Sequence, residues 1–387
     1  MTGPATGLAA LLGTLSAEAF AQEIWGIRCQ VIDGAADRFA GLIASTDIDR
    51  ILRFVRPRPP QEMMLVKASR HYDVNWIDPD GAPRSDQVRA AWDQGYSIVL
   101  NDVARFWEPV TRYCAALCAD LHHPVDANLY LTPPDTQGFD PHYDIMDVFV
   151  LQLEGAKEWR LWGAGADLPL ADEHRAIDPA ALAPPLWTGM LTPGQALYIP
   201  RGHVHAARAT DAASLHLTIG VKIVTWLDLI TAAATRARGD RRFREALPPG
   251  FLGAEPALAA GMAERADALA PWLTAGAGLA GLAGSLLEKS PLPREDLLAP
   301  TAPVALETDL AWRAGVVSTV AGDAGHVVLR YNGGALAGPA KIAPAVAWIA
   351  ARPHWRAADL PGLADGEKLV LANRLLREGV VERVDRS

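Results

Sequence analysis

Two hydrophobic periods divide the chain. Up to about residue 125 the apolar positions recur mainly at helical spacing, with short extended pieces between them. Leu8 to Trp25 and Asp47 to Phe54 carry that spacing, and Ser45, Thr46 and Asp47 supply a cap region for the second segment. Further helix is predicted over Ser85 to Ala91 and Val103 to Leu121. From Asn128 the period shortens to two. NLYLT, DVFVLQLE, KEWRLW, ALYIP and SLHLTIGVKI are short runs rich in β-branched and aromatic residues, set apart by Pro, Gly and Asp turns. Such runs predict an all-β sandwich or barrel that ends near Thr225.

Helical text returns from Trp226 to Leu287, rich in Ala and Leu and broken at Pro248, Pro249 and Gly250. The segment SPLPREDLLAPTAP then reads as a domain boundary. Beyond it, Val327 to Tyr331 is a predicted strand. Ile342 to Ala351, Ala357 to Leu360 and Gly366 to Glu378 are predicted helices, and VVERV a final strand. Two helices joined by a tight turn and followed by a strand trace the outline of a winged helix. That outline does not imply DNA reading, and the last helix (EKLVLANRLLREG) is short of base-reading side chains.

Composition narrows the classes. A chain of 387 residues exceeds what one compact core usually organises, so two or three domains are expected. Half the residues are hydrophobic and 21% are charged, the balance of a globular protein. The net charge of -9 argues against non-specific nucleic-acid binding, which depends on neutralising phosphates. It would suit a basic protein partner. Cys29, Cys114 and Cys118 form no disulfide framework, which favours a reducing, cytoplasmic compartment. Cys114 and Cys118, four apart on a predicted helix, read better as buried small side chains than as a metal pair. No Lys or Arg precedes Arg28, against a signal peptide, and no stretch reads as a membrane span.

The chemistry lies in GFDPHYDIMDVFVLQLEGAKEWRLW. His142 and Asp144 are two apart, so an extended backbone places both side chains on one face. A His, a carboxylate and a distant second His make the facial triad of non-haem Fe(II) oxygenases, which leaves coordination positions open. PRGHVHAA supplies the second His, with His203 and His205 as candidates of equal strand parity. His205 is preferred because PRG makes the turn and leaves His205 inside the strand. Alone, an H-x-D pair is a weak signal. Lys157 strengthens it: a 2-oxo acid that chelates the metal at one end needs a buried cation for the far carboxylate. By pattern alone, a surface lysine on an edge strand is the stronger reading of Lys157. His122, His123 and His174 read as turn or loop residues, the 12 Trp as core and interface filler, and His216 as either barrel-facing or a satisfied core histidine.

Taken together, NLYLTPPDTQGFDPHYDIMDVFVLQLEGAKEWRLW and LYIPRGHVHAA closely resemble the ribosomal oxygenases, a JmjC-like group that hydroxylates ribosomal proteins, and most of all its histidyl-hydroxylase branch. The resemblance is dense from Asn128 to Val221 and looser elsewhere. It implies an α+β architecture: a double-stranded β-helix (JmjC/cupin jelly roll) core with flanking helices over 1–225, a helical dimerisation segment over 226–290 and a C-terminal winged helix over 291–387. It implies His142, Asp144 and His205 as Fe(II) ligands and Lys157 as the anchor for 2-oxoglutarate, with O2 as the other co-substrate. Asn128 and Tyr130 fall on the family's active-site pair, and Thr218 and Ser214 on positions that could bond the co-substrate. A protein or peptide substrate and a homodimer follow from the same likeness. The rival readings are a hydroxylase of a ribosomally made natural-product precursor, a demethylase, and a non-catalytic metal-binding cupin, sugar isomerase or transcription factor.

Overall fold

The computed structural model describes residues 6–253, 255–274, 287, 302–322 and 325–384. It divides into two compact units, Met1–Ile223 and Val224–Ser387.

The first unit opens with α1 (Leu8–Leu12) and α2 (Ala17–Glu23). One helix was expected there. The chain breaks at Gly13, which takes a left-handed φ of 61°, and restarts at Ser16, whose Oγ accepts from the Ala19 N–H. Strand β1 (Gln30–Ile32) and α3 (Ser45–Arg50) follow, then β2 (Met63–Lys67), β3 (Arg70–His71), α4 (Ser85–Asp93) and β4 (Ser97–Leu100). Helix α5 (Glu108–Leu121) starts later than the apolar pattern suggested, because Pro109 suits a first turn and not a helix interior. Cys114 and Cys118 are both buried on it. The remaining strands are β5 (Val125–Thr132), β6 (Asp147–Glu154), β7 (Lys157–Ala164), β8 (Trp187–Leu191), β9 (Ala196–Ile199), β10 (His203–Ala209) and β11 (Ser214–Val221).

Two antiparallel sheets result. The larger has the order β1-β9-β6-β11-β5-β4-β2-β3, and the smaller the order β10-β7-β8. Four strands of the larger sheet therefore come from text that reads as mainly helical. Alternation assigns its faces. Phe149 and Leu151 of β6 and Leu215, Leu217 and Ile219 of β11 pack with Phe20, Leu42, Tyr113 and Leu117 in the main core. Val148 and Val150 point the other way and meet Trp159, Leu161 and Leu191 of the smaller sheet. His216 and Thr218 share that inner direction, opposite Tyr130 and Asn128 in the β11–β5 register. Gly155, at φ 62°, makes the turn from β6 into β7. A Cβ there would lie 2.1 Å from the Ala213 carbonyl oxygen, so the turn that delivers Lys157 requires glycine.

In the second unit, α6 (Trp226–Ala237) and α7 (Glu255–Thr274) flank the break at Pro248, Pro249 and Gly250. The rest of the expected helical run up to Leu287, and nearly all of the Pro-rich joint after it, lie outside the described residues. There follow β12 (Asp309–Trp312), β13 (Ser318–Gly322), β14 (His326–Tyr331), β15 (Gly334–Pro339), α8 (Ala343–Ala350), β16 (His354–Arg356), α9 (Asp365–Arg377) and β17 (Val381–Arg383). They form two three-stranded sheets, β16-β12-β17 and β13-β14-β15, around a core that includes Leu310, Leu329, Ile349, Trp355 and Leu375. Ala357–Asp359 makes a single 3-10 turn instead of the expected helix. Pro361 disfavours helical backbone at Leu360 and stops it there. No helix among the described residues is long and apolar enough to cross a membrane.

Candidate active site

His142 and Asp144 lie in the link between β5 and β6, and main-chain bonds sew that link to β10. The His142 N–H donates to the His205 carbonyl (3.1 Å), the His205 N–H donates back to His142 (2.8 Å), and the Gly202 N–H donates to the Asp144 carbonyl (2.8 Å). One ligand atom from each of His142, Asp144 and His205 lies within 4.8 Å of the other two. His205 Nε2 is 3.6 Å from Asp144 Oδ2.

Both imidazoles are held in one tautomer. His142 Nδ1 lies 2.8 Å from the Asp140 carbonyl oxygen, and His205 Nδ1 lies 3.0 Å from that of His203. A carbonyl only accepts, so each Nδ1 carries the hydrogen and each Nε2 keeps its lone pair. Burial first, and then the neighbouring His142, push His205 down to about 4, which keeps it neutral at physiological pH. Two Nε2 lone pairs and a carboxylate on one side of a cavity are a donor set for a divalent cation.

The structure also separates the two histidines that strand parity could not. The β10–β7 register slips between Val204 and His205. A bulge of this kind re-aims side chains. His205 is 5% exposed and faces the cavity, whereas His203 sits with Nδ1 3.6 Å from Cys29 Sγ in a separate groove lined by Ile27, Leu186 and Trp187.

The cavity, of about 620 Å³, lies between the two sheets, with the His–Asp–His cluster and Lys157 both in its wall. Lys157 is 4% exposed, because β7 is the central strand of its sheet and not an edge. Burial lowers its ammonium to about 7. Its Nζ donates to Thr132 Oγ1 at 2.9 Å and lies 3.3 Å from His216 Nδ1. Both neighbours are neutral. Among the described residues no carboxylate pairs with it, so the cavity wall holds a buried lysine that a ligand carboxylate would keep charged. Arg160, on the opposite face of β7, is bonded to Gln137 Oε1 at 3.0 Å.

Asn128, Tyr130 and Thr218 also line the cavity. The Asn128 carbonyl oxygen accepts from the Asp102 N–H (2.9 Å), which fixes the amide and leaves its NH2 group as donor. Ser214 is not part of this lining. It is fully buried and its Oγ accepts from Gln152 Nε2 at 2.9 Å. Sequence reasoning passed over Thr132, which shares the parity of Asn128 and Tyr130, and read Trp159 with the other Trp as core or interface filler. The Trp159 indole N–H is buried in the same cavity wall with no hydrogen-bond partner among the described residues.

Tyr143, the residue between His142 and Asp144, acts in the opposite direction. It is 2% exposed, donates its hydroxyl hydrogen to the Glu173 carbonyl (2.9 Å) and accepts from the Arg175 N–H (2.8 Å). This clamp ties the 165–186 loop, whose His174 and Ile177 line the mouth of the cavity, to the H-x-D segment. Tyr143→Phe deletes both bonds, so tryptic cleavage after Arg175 is expected to accelerate about fivefold or more. An unchanged rate would show that other contacts hold the loop.

Comparison with known proteins agrees with this geometry. A JmjC domain model matches residues 104–229. The bifunctional lysine-specific demethylase and histidyl-hydroxylase NO66 of Dictyostelium discoideum is 32% identical over 260 residues, covering 62% of this chain and 49% of that protein. Ribosomal oxygenase 1 of Rattus norvegicus is 31% identical over 256 residues, covering 62% of this chain and 42% of that protein. The chain thus spans about half the length of these curated relatives, or less. Among solved structures, E. coli ycfD superposes with a TM-score of 0.57 at 18% identity, covering 96% of this chain and 99% of that one. The Escherichia coli ribosomal oxygenase YcfD in complex with cobalt and 2-oxoglutarate superposes with a TM-score of 0.54, also at 18% identity and with the same coverage. At that identity the likeness shows the fold alone; with the family model it gives a JmjC/cupin core of antiparallel sheets with helices.

Proposed function

We propose, for a chain whose residues 104–229 form a JmjC domain, that it is an Fe(II)- and 2-oxoglutarate-dependent oxygenase that hydroxylates a His or Arg side chain of a ribosomal protein. The observation that carries this reading is the pairing, in one cavity, of a three-donor cluster with a buried lysine that meets no carboxylate among the described residues. The names of the relatives, histidyl-hydroxylase and ribosomal oxygenase, support the substrate class.

In this reading His142, Asp144 and His205 hold the metal on one side and leave the other side open to small ligands. Lys157 receives the far carboxylate of 2-oxoglutarate. Asn128, Tyr130 and Thr218 orient the incoming groups at the cavity wall, and the 165–186 loop borders the entrance for a peptide. Bound Fe(II) supplies the activation of O2 that couples decarboxylation of 2-oxoglutarate to oxidation of an unactivated C–H bond. The protein binds, orients and excludes competing reactions.

The second unit divides in this reading into a dimerisation segment, 226–290, and a winged helix, 291–387. Trp226, Leu227 and Ile230 of α6 support the former: 82%, 53% and 49% exposed, they present an apolar face of the kind that partners cover. The catalytic setting is cytoplasmic.

The test is mass spectrometry of ribosomal proteins from a strain lacking the gene, incubated with the purified protein, Fe(II) and 2-oxoglutarate. One protein gaining a single oxygen on a His or Arg, with the enzyme eluting as a dimer in the same buffer, is the expected result. Slow succinate formation without any such gain would overturn the ribosomal substrate and favour a precursor peptide. No turnover of 2-oxoglutarate would favour a metal-binding cupin.

A further inference from the structure

An ammonium group has three hydrogens and no acceptor. Lys157 gives one to Thr132 Oγ1, and His216 Nδ1 stands 3.3 Å from the same nitrogen. The imidazole therefore turns a lone pair toward Lys157 and carries its own hydrogen on Nε2. Burial, reinforced by the Lys157 charge, holds His216 well below the usual histidine range, so that lone pair persists at neutral pH.

The ring is fixed in place. It stacks on Tyr130 with centroids 4.7 Å apart and planes 2° from parallel, and meets Trp159 edge-on at 5.7 Å. Thr132 is likewise committed, accepting from Ser97 Oγ (3.2 Å) and from Lys157, which leaves its hydroxyl hydrogen to donate. Two hydrogens of the ammonium thus face neutral, immobile acceptors. The third remains for a ligand in the cavity that Lys157, Thr132 and His216 all line.

We propose that His216 is a positioning residue for the co-substrate: its Nδ1 lone pair, with Thr132 Oγ1, aims the Lys157 ammonium at the far carboxylate of the 2-oxo acid. The inference rests on the reading of Lys157 as the anchor. It assigns His216 no contact with the metal or the reacting atoms. Loss of the lone pair accordingly weakens 2-oxoglutarate binding and leaves the chemical step in place.

The experiment is calorimetric titration of 2-oxoglutarate into the full chain loaded with Mn(II). His216→Asn places an amide oxygen near the Nδ1 position, while His216→Phe keeps an aromatic ring and removes the acceptor. The phenylalanine variant is expected to bind 2-oxoglutarate about tenfold more weakly or worse, with Mn(II) affinity unchanged and turnover at saturating 2-oxoglutarate within about twofold of wild type. The asparagine variant should recover most of the affinity. Wild-type affinity in the phenylalanine variant, or equal weakening in both, would overturn the proposal. The imidazole 15N spectrum of the wild-type protein decides independently of any variant's folding: Nδ1 should be bare and Nε2 protonated, and the opposite tautomer would sink the idea. Wild-type protein that binds Mn(II) but not 2-oxoglutarate would overturn the proposed function, and this inference with it.

Discussion

His142→Ala and Asp144→Ala are each expected to bring 2-oxoglutarate turnover to background while leaving the thermal melt nearly unchanged. The two halves of that expectation have separate causes. Turnover fails because each substitution removes one of three donors that converge within 4.8 Å, and two remaining donors hold a divalent ion poorly. The fold survives because the 138–146 link is attached to β10 through main-chain atoms of His142, Asp144, Gly202 and His205, which alanine retains. His142→Ala also loses a bond from Nδ1 to the Asp140 carbonyl and ring contacts with Phe139 and His205, at a half-buried position where water can replace the bond. For Asp144, whose side chain is 37% exposed, truncation breaks no side-chain hydrogen bond among the described residues. Succinate release, Mn(II) binding by EPR and a melting curve on the same samples check all of this. Activity retained in either variant would sink the assignment of the cluster as the metal site. A collapsed melt with lost activity would leave that assignment to the Mn(II) titration, in which the folded fraction must bind less metal.

The parts of this site that could be read from the chain are those set by local spacing. His142 and Asp144 are two residues apart, and in the structure a ligand atom of each lies within 4.8 Å of the other. Strand runs such as DVFVLQLE and SLHLTIGV are dictated by β-branched and aromatic text, and they form where expected. What was illegible depends on partners far away in sequence. Parity gave His203 and His205 the same direction, and only the slip in pairing with β7 sends them apart. Lys157 resembled a surface residue because nothing in KEWRLW tells that β8 and β10 cover both sides of that strand. Strand β4 (SIVL) is four buried residues inside text with helical spacing, and it becomes a strand because β5 and β2 offer it partners. His216 could be either a core or a site residue until Tyr130 and Lys157 were placed beside it.

Lys157→Met is expected to move stability and binding in opposite directions. The ammonium is buried beside His216 and Thr132 with no carboxylate against it among the described residues, and burial lowers it from 10.5 to about 7. A group whose charged form is disfavoured in the folded state costs stability wherever the unfolded chain still binds the proton. Between about pH 7 and 10.5 the unfolded chain holds that proton and the folded one does not, so stability rises with pH across this window. Below pH 7 both forms are charged and the full cost of the buried cation is present. Methionine fills nearly the same volume without a charge; replacing even a buried ion pair by apolar groups often stabilises by about 1–4 kcal/mol, and Lys157 has no carboxylate attraction to lose among the described residues. The gain in melting temperature should therefore be larger at pH 6 than at pH 9.5. Binding should fall in the same variant, because the far carboxylate of 2-oxoglutarate would enter the cavity without a cation. Breaking a buried pair costs about 3–5 kcal/mol, so the affinity should drop about a hundredfold or more, with Mn(II) binding retained. In the wild type, 2-oxoglutarate should bind more weakly as pH rises above 7 and should take up a proton as it does so, since the carboxylate favours the charged lysine. A variant with no gain in stability and unchanged affinity would show that Lys157 is neither costly nor the anchor, and would move the search for the anchor to Arg160 on the other face of β7.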